Sequence, residues 1–532
     1  MTAEADRNPS VPERPCWRPW HGVPLMLGLA AVLYGGWMLF GMAAGIKTTH
    51  LRVDDLPITL YQARDQGDGP VPAVVIAHGF AGSHQLMRSF ALNLARNGYL
   101  AVSFDFPGHG HNSAPLGGSL GSPERLTSLL DALSKTVDVA EQHAHGGRLA
   151  LLGHSMAGDV LVNYAKTHPQ VTAIVAVSPY LSEPVGADFA PNLLFVYGAY
   201  EPEMIHAQGR ESMEEVVAAP VALETTYGDP VKGGARRLVM AAGVEHIGVL
   251  FNAQTQREAL DWLDASFARR APTQKPTRPI LTAGAGLAWF YTGLCLLAWP
   301  LSLLLPPMAN RPLGAGLRWR PLTIAALIPA LLTPVLLWPM PNDFLPLLIG
   351  DYLALHFMVY GVLTWAVLAY LGRLPDRAVV MDGLRASSPA VLAGGVLVWL
   401  LYAVGAFGWS TDHLVASFFP PLGRLPSLLA LLFGTLLYAS ADAWMVHGAG
   451  SARGAVLLTK GLFLVSLALA VVLNLNELFF LVIIVPAILL LFIVYGWLDF
   501  LSYRRTWQPW LGALASALVF ALSITATFPV VA

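Results

Sequence analysis

Charge is what this chain has least of. Asp, Glu, Lys and Arg make up 12% of its 532 residues, about half the ~25% typical of soluble globular domains, which excludes a single water-soluble body. Neither sign dominates: 32 basic and 34 acidic residues give a formal net charge of −2, without the basic excess that nucleic-acid binding draws on. Cysteine is nearly absent. Cys16 and Cys295 are the two present; they have no CxxC spacing, so nothing signals zinc or redox chemistry, and neither falls in the polar stretch of the chain, which therefore has no internal disulfide. What the chain has instead is apolar length, with 55% hydrophobic residues unevenly spread. Residues 46–278 hold most of the acidic groups, and residues 279–532 are a succession of apolar runs separated by short Arg-bearing loops.

Crossing ~30 Å of hydrocarbon takes roughly 20 apolar helical residues, and residues 23–46 meet this. Small residues (Met42-Ala43-Ala44-Gly45) end the run as they would at a signal-peptide cleavage site. The run is longer than the ~7–15 residues of a signal core, and it reads as a retained anchor. The second half offers about eight more spans, near 280–305, 321–340, 347–371, 390–408, 427–446, 455–474, 478–498 and 508–529. Trp338, Trp409, Trp497, Trp507 and Trp510 cluster near their ends, as amphipathic rings do at a membrane surface.

With nine spans, the N-terminal tail (Arg7, Arg14, Arg18) shares its side with loops holding Arg311, Arg318, Arg320, Arg373, Arg377, Arg385, Arg453, Arg504 and Arg505, while the opposite short loops hold little beyond Arg424. Basic loops stay cytoplasmic, so the tail is expected in the cytoplasm and the polar domain on the extracytoplasmic side. Arg269, Arg270, Lys275 and Arg278 run against this, but they close a large domain, and long translocated segments follow the rule weakly. The organisation expected is a tail (1–22), an anchor (23–46), a catalytic domain (47–272) and a polytopic domain of about eight helices (279–532).

Within the polar region, residues 47–64 read as a hairpin turning at Asp54-Asp55. Short, wholly apolar runs follow at 71–77, 99–104, 148–152, 171–177, 193–197 and 237–241, the pattern of strands buried on both faces of a parallel sheet. Helical stretches at 86–97, 122–141 and 159–167 lie between them, which predicts a doubly wound α/β sheet with its site at the strands' carboxyl ends. Those ends carry chemistry. His78-Gly79-Phe80 and Asp105-Phe106-Pro107-Gly108-His109-Gly110 are tight polar loops. Gly153-His154-Ser155-Met156-Ala157-Gly158 is a serine between small residues, after a strand and before a helix; there the hydroxyl stands on a strained turn above the sheet, and the helix N-terminus favours a negative oxygen. Glu201, with Glu203 as its rival, follows the next strand as a carboxylate, and His246 follows the last as an imidazole.

This arrangement resembles the α/β-hydrolase superfamily, in particular its monoglyceride-lipase and serine-aminopeptidase-like branch, over about residues 50–268. HGFAGS, DFPGHG and GHSMAG, in that order at strand ends, carry the resemblance. Two departures are Ala157, where G-x-S-x-G ends in Gly, and Glu where Asp is the commoner acid. The resemblance implies an α/β-hydrolase domain joined to an all-α transmembrane bundle. It implies Ser155 as nucleophile, His246 as base and Glu201 as its orienting acid, with the Phe80 and Met156 N–H groups as oxyanion hole. No metal or organic cofactor is needed. His78 and Gly79 shape the oxyanion loop, His154 packs beside the elbow of Gly153, Ala157 and Gly158, and Asp105 shapes its own loop. Asp105, His109 and His111 hint only weakly at a metal. Only about twelve residues precede the acid-bearing strand where relatives insert a lid, so no separate cap is expected over Ser155; the membrane half covers the pocket or the pocket stays open.

Three functions remain from sequence alone. One is a membrane-bound hydrolase of carboxylic esters, less readily of amides, acting on a small-molecule or lipid substrate among membrane lipids. The second is an acyltransferase using the same acyl-enzyme. The third is a transporter or sensor with an accessory hydrolase domain. Against the third, Asp351 with His356 and Asp442 with His447 stand five apart, about 140° around a helix, and share no face. Lys460 lies near a helix end, placed to snorkel, and no clustered set of facing charges is legible.

Overall fold

The structure, a computed structural model, describes residues 14–67, 69–118, 122–269, 278–341, 343–378, 381 and 387–532. Arg7, Arg270, Lys275 and Arg385, used above for orientation, lie outside the described residues.

The first membrane helix, α1 (Gly22–Gly41), leads through a short turn into the hairpin β1 (Ile46–Val53) and β2 (Leu56–Ala63), with Asp54 at the turn in the left-handed region (φ 53°). The strands that follow are β3 (Ala73–Ala77), β4 (Leu100–Phe104), β5 (Leu149–His154), β6 (Val171–Val177), β7 (Asn192–Gly198), β8 (Thr226–Tyr227) and β9 (Arg236–Ala241). They form one sheet in the order β1-β2-β4-β3-β5-β6-β7-β9-β8. From β4 through β9 all pairs are parallel, and the edges are antiparallel. Val74, Val75, Ile76, Leu151 and Leu152 have no exposed surface, as strands covered on both faces require. The helices α2 (Arg88–Arg96), α3 (Pro123–Ala144), α4 (Ala157–Ala165), α5 (Glu203–Glu214) and α6 (Ala253–Ser266) pack on the two faces.

The chain then enters the helical half, with α7 (Ala283–Ser302), α8 (Trp319–Leu337), α9 (Gly350–Tyr370), α10 (Pro389–Leu414), α11 (Leu425–Val446), α12 (Ala455–Leu473), α13 (Leu481–Thr506) and α14 (Trp510–Thr527). Together with α1, nine helices among the described residues are long and apolar enough to cross a membrane, making this a polytopic membrane protein. The anchor is no outlier to the bundle: α1 lies along α7, where Cβ atoms on Gly35 and Gly293 would come within 2.5 Å of Phe290 N and 2.7 Å of Val32 N. Small residues at such a seam let two backbones approach closely.

Two helices run past their sequence boundaries. In α10 a π-helical turn at Leu401–Ala406 precedes a further stretch, Phe407–Leu414, whose polar Ser410 and Thr411 hydroxyls donate back to the carbonyls of Ala406 and Phe407. α13 continues through Asp499 to Thr506, and the Asp499 carboxylate meets His447, 2.7 Å away. The bundle interior also differs from the reading of unclustered charges. Lys460 does not snorkel: its Nζ lies 2.7 Å from Asp442 Oδ2, on the rings of Tyr438 and Phe492.

Candidate active site

The peptide between β5 and α4 is a sharp elbow. Ser155 sits at φ 53°, a region costly for a non-glycine residue. The turn is held by Ser155 N donating to Val177 O (3.0 Å) and by Gly158 N and Tyr180 N donating to Ser155 O (2.9 and 3.0 Å). Ala157 in the usual glycine place is accommodated because its partner gives way: a Cβ on Gly153 would lie 2.9 Å from the Ala157 Cβ and 2.7 Å from Leu161 Cδ1. One of the two positions can carry a methyl group, and here it is 157.

His246 follows β9 and reaches the elbow from the neighbouring loop. Its Nε2 is 3.0 Å from Ser155 Oγ, and its Nδ1 is 3.1 Å from Glu201 Oε2. Glu201 follows β7 and its carboxylate has no exposed surface. The other oxygen, Oε1, accepts from Gly198 N (2.6 Å) and from the Ser178 hydroxyl. Charged acceptors of this kind make the stronger hydrogen bonds, and three donors fix the carboxylate toward the imidazole. Glu203 stands apart on α5, exposed, and pairs with Arg210 and His206.

His154 and His78 act on the frame. The His154 ring lies 4.8 Å from that of His246, and its Nε2 donates to the His246 carbonyl at 2.9 Å. Burial, with His246 adjacent, pushes its pKa well below the ordinary value and keeps it neutral. His78 donates from Nδ1 to Gly79 O (2.8 Å) and accepts at Nε2 from Phe106 N (3.0 Å), tying the first polar loop to the second. Burial lowers its pKa as well. Gly79 is required at the elbow, since a Cβ there would lie 2.9 Å from Ser155 Cβ. Met156 directly follows Ser155, and Phe80 follows the Gly79 that packs against it.

Asp105 organises the second loop. Its Oδ1 accepts from His84 N (2.7 Å) and meets His84 Nδ1 (2.9 Å), and its Oδ2 accepts from His111 N (2.9 Å). Burial alone would raise this carboxyl, but His84, His78 and the His111 N–H outweigh it and hold the pKa well below the carboxylate range. Ligand atoms of His84, Asp105 and His111 lie within 4.8 Å of one another, so His84 stands where His109 is expected in a metal-type cluster. His109 is instead buried, donates to Pro107 O at 2.9 Å and has its pKa lowered to about 3 by burial. Both Asp105 oxygens are already engaged by protein donors.

Among the described residues, no helical cap is inserted between β6 and β7. Residues 178–191, between β6 and β7, contain no helix or strand. The helical half comes up against the polar loops instead. The Phe80 ring lies 4.4 Å from Phe480 and 6.5 Å from Phe528. Ser417 N donates to Ser83 Oγ (3.1 Å), and Gln85 Nε2 donates to Asp412 O (3.0 Å). The last residues run beside the Asp105 loop as a strand would: Val530 N to Gly108 O (3.0 Å), Leu116 N to Val530 O (2.8 Å), Ala532 N to Leu116 O (3.1 Å). Arg424 closes this joint. Buried at the start of α11, its guanidinium donates to Thr525, Ala526 and Phe528 carbonyls at the end of α14 and to those of Gly108 and Gly110.

Residues 68–250 match the family model described as Hydrolase_4, serine aminopeptidase, S33. The chain is 30% identical over 145 residues to the dihydrolipoyllysine-residue acetyltransferase component of an acetoin cleaving system of Pseudomonas putida, covering 26% of this chain and 36% of that protein. It is 28% identical over 122 residues to a bis(hydroxyethyl) terephthalate hydrolase of Streptomyces coelicolor, covering 23% and 37%. The chain thus spans little more than a third of either relative. A crystal structure of a CIB-like hydrolase from Thermoplasma acidophilum aligns with 41% of this chain and 97% of its own, at 17% identity and a TM-score of 0.32. With this sheet order and elbow, the chain has an α/β-hydrolase fold, whose residues 68–250 are similar to the S33 family, fused to a long C-terminal region of membrane-span-like helices.

Proposed function

We propose that this protein is a membrane-embedded serine hydrolase that cleaves carboxylic esters of lipid or acylated substrates on the extracytoplasmic face. Residues 47–272 form the catalytic unit and 279–532 the membrane unit. The observation that carries the reading is the continuous line Ser155 Oγ to His246 Nε2 (3.0 Å) and His246 Nδ1 to Glu201 Oε2 (3.1 Å), with the serine on a left-handed elbow.

Ser155 Oγ attacks the acyl carbon and its proton passes to His246 Nε2. Glu201 accepts the Nδ1–H bond, fixes the tautomer and stabilises the imidazolium. The charge on the carbonyl oxygen is taken by the Phe80 and Met156 N–H groups, worth about 3 kcal/mol or more per donor in such sites. His246 returns the proton to the leaving oxygen as the C–O bond breaks, and water then releases the acyl group by the same steps. This chemistry needs no cofactor. A lipid or acylated substrate is supported by the contact of Phe80, an oxyanion donor, with the bundle residues Phe480 and Phe528.

Orientation rests on the basic loops. With nine spans alternating, Arg14, Arg18, Arg311, Arg318, Arg320, Arg373, Arg377, Arg453, Arg504 and Arg505 fall at the span ends on the side of the N-terminal tail. In the short loops of the other side Arg424 runs against this, as Arg269 and Arg278 do at the end of the large domain; Arg424 is buried against carbonyls and is not a loop charge in the sense of the rule.

Fluorophosphonate labelling of the detergent-solubilised full chain tests the reading. Wild type is expected to label, and Ser155→Ala and His246→Ala are expected not to. Equal labelling of Ser155→Ala would sink it.

A further inference from the structure

At the end of α11 opposite Arg424 and its contact with the Asp105 loop, a second set of ionisable groups meets between helices. Lys460 of α12 reaches Asp442 of α11 at 2.7 Å and the Tyr438 hydroxyl at 3.2 Å. His447, just past α11, reaches Asp499 of α13 at 2.7 Å and stacks on Tyr503 at 3.8 Å. The other oxygens of the two acids, Asp442 Oδ1 and Asp499 Oδ1, are buried without a hydrogen-bond partner, and the Asp442 side chain is only 7% exposed. Asp442, Asp499 and Lys460 line one space of about 30 Å³, room for about one water.

Two acids and one lysine meet here, beside the imidazole of His447. An uncompensated charge within a membrane is costly, so the site calls for one more positive charge. No other residue lining the space is charged: α9 offers Phe357 and α14 offers Ser516. The nearby Arg505 is spent on the Leu305 carbonyl, and Arg504 lies over Phe500. A hard metal cation takes about six oxygens or more, which two free carboxylate oxygens and space for one water do not supply. A proton needs a single acceptor.

The polar groups continue toward the hydrolase side. Tyr360 faces Tyr438 at 5.6 Å, its hydroxyl buried and unpartnered. One turn back on α9, His356 holds Ser466 Oγ at Nε2 (3.2 Å) and the Tyr352 hydroxyl at Nδ1 (3.3 Å). Tyr352, His356 and Tyr360 repeat every fourth residue and share one helix face. Tyr352 lines a cavity of about 340 Å³ with Asn474 and Glu477 at the far end. The Phe463 ring interrupts the series, 4.6 Å from Tyr438, 5.1 Å from Tyr360 and 5.3 Å from His356.

We propose that the helical half holds a proton-transfer route across the membrane, with Asp442, Lys460, Asp499 and His447 as its loading site and Phe463 as the apolar break within it. A proton taken up at the cluster passes by Tyr438, Tyr360 and His356 to Tyr352. Each hop moves one proton from donor to acceptor with no other bond changed; the unpartnered Tyr360 hydroxyl and the Phe463 ring mark the gap that a side-chain rotation or a water closes for the hop to occur.

The test is the full chain in liposomes loaded with potassium and a pH-sensitive dye, driven by valinomycin. Wild type is expected to move protons faster than protein-free liposomes. Asp442→Asn and Lys460→Met are expected to lose the flux, Asp442→Glu to keep it, and Phe463→Ala to raise it. Thermal unfolding of each variant in detergent separates a lost route from a lost fold, with the folded Lys460→Met and Asp442→Glu pair deciding if Asp442→Asn does not fold. Wild type no faster than empty liposomes, or a folded Lys460→Met as fast as wild type, overturns the proposal. A flux that vanishes when sodium is replaced by choline overturns the proton assignment.

Discussion

In the hydrolase domain the reactive groups stand at the carboxyl ends of strands, where each belongs to a short stretch of sequence that also builds its surroundings. Ser155 lies within five residues of the glycines that shape its turn, and Glu201 accepts from Gly198 N three residues earlier. In the helical half the ionisable groups lie at 442, 460 and 499, on three helices, and become neighbours only when those helices pack. Loops at a sheet edge supply backbone donors to a charged side chain. A membrane helix has used its own, so a charge there is satisfied by another helix or left short of partners. The Glu201 oxygens are fully engaged, whereas Asp442 and Asp499 each keep an oxygen unpaired.

The largest effect expected of this contrast is at the acid. Glu201→Gln keeps the shape but removes the charge proposed to fix the His246 tautomer, and a loss of about 10⁴-fold in kcat is expected by analogy with such triads. Glu203→Gln, at an exposed pair with Arg210, is expected to leave the rate within about twofold, since surface pairs contribute little. Comparable losses from both substitutions, read as ester hydrolysis rates, would reassign the acid.

A second experiment addresses whether the halves are one unit. Arg424→Met removes the donor shared by three carbonyls of the C-terminal segment and two of the Asp105 loop, and a destabilisation on the order of 3 kcal/mol is expected, since buried acceptors are left unsatisfied. Because the same joint bears on the loop beside Phe80, the fluorophosphonate labelling rate is expected to fall with it. Thermal unfolding and labelling measured on one preparation decide the matter. A variant that melts early but labels at the wild-type rate would make the two halves independent modules.

Much of the hydrolase fold was legible because its strands are uninterrupted apolar runs and its site lies within local motifs. The six buried strands fall within about two residues of where alternation of run and turn placed them, and the Asp54-Asp55 hairpin is present. β8 escaped because a two-residue edge strand has no period to detect. His84 escaped because only the folded turn before α2 brings it to Asp105. In the membrane, apolar length located every span, but the same criterion hid what the spans hold. It ended the helix of α13 at the residue before Asp499, and so set aside the partner of His447. It read Lys460 from its distance to a helix end, although the direction of that side chain is decided by Asp442 on the neighbouring helix.

The smallest effect expected concerns acid, and it separates the halves by domain. His109 is buried and neutral, with its pKa lowered to about 3, and burial also lowers His78 and His154. In the unfolded chain each histidine takes up a proton near pH ~6.5. Below that value the unfolded state binds more protons than the folded one, so stability is whole above about pH 6.5 and falls as the pH drops toward the folded pKa, by about 1.4 kcal/mol per pH unit for each such histidine. His109→Phe removes one of them. It forgoes the bond to Pro107 O and is expected to be less stable than wild type at neutral pH, yet to lose less stability between about pH 6 and about pH 5. Denaturant unfolding followed by a probe in the hydrolase domain checks the slope. A slope unchanged by His109→Phe would mean that the acid response comes from elsewhere in the fold, and the ionisable groups between α11 and α13 would then be the first to substitute.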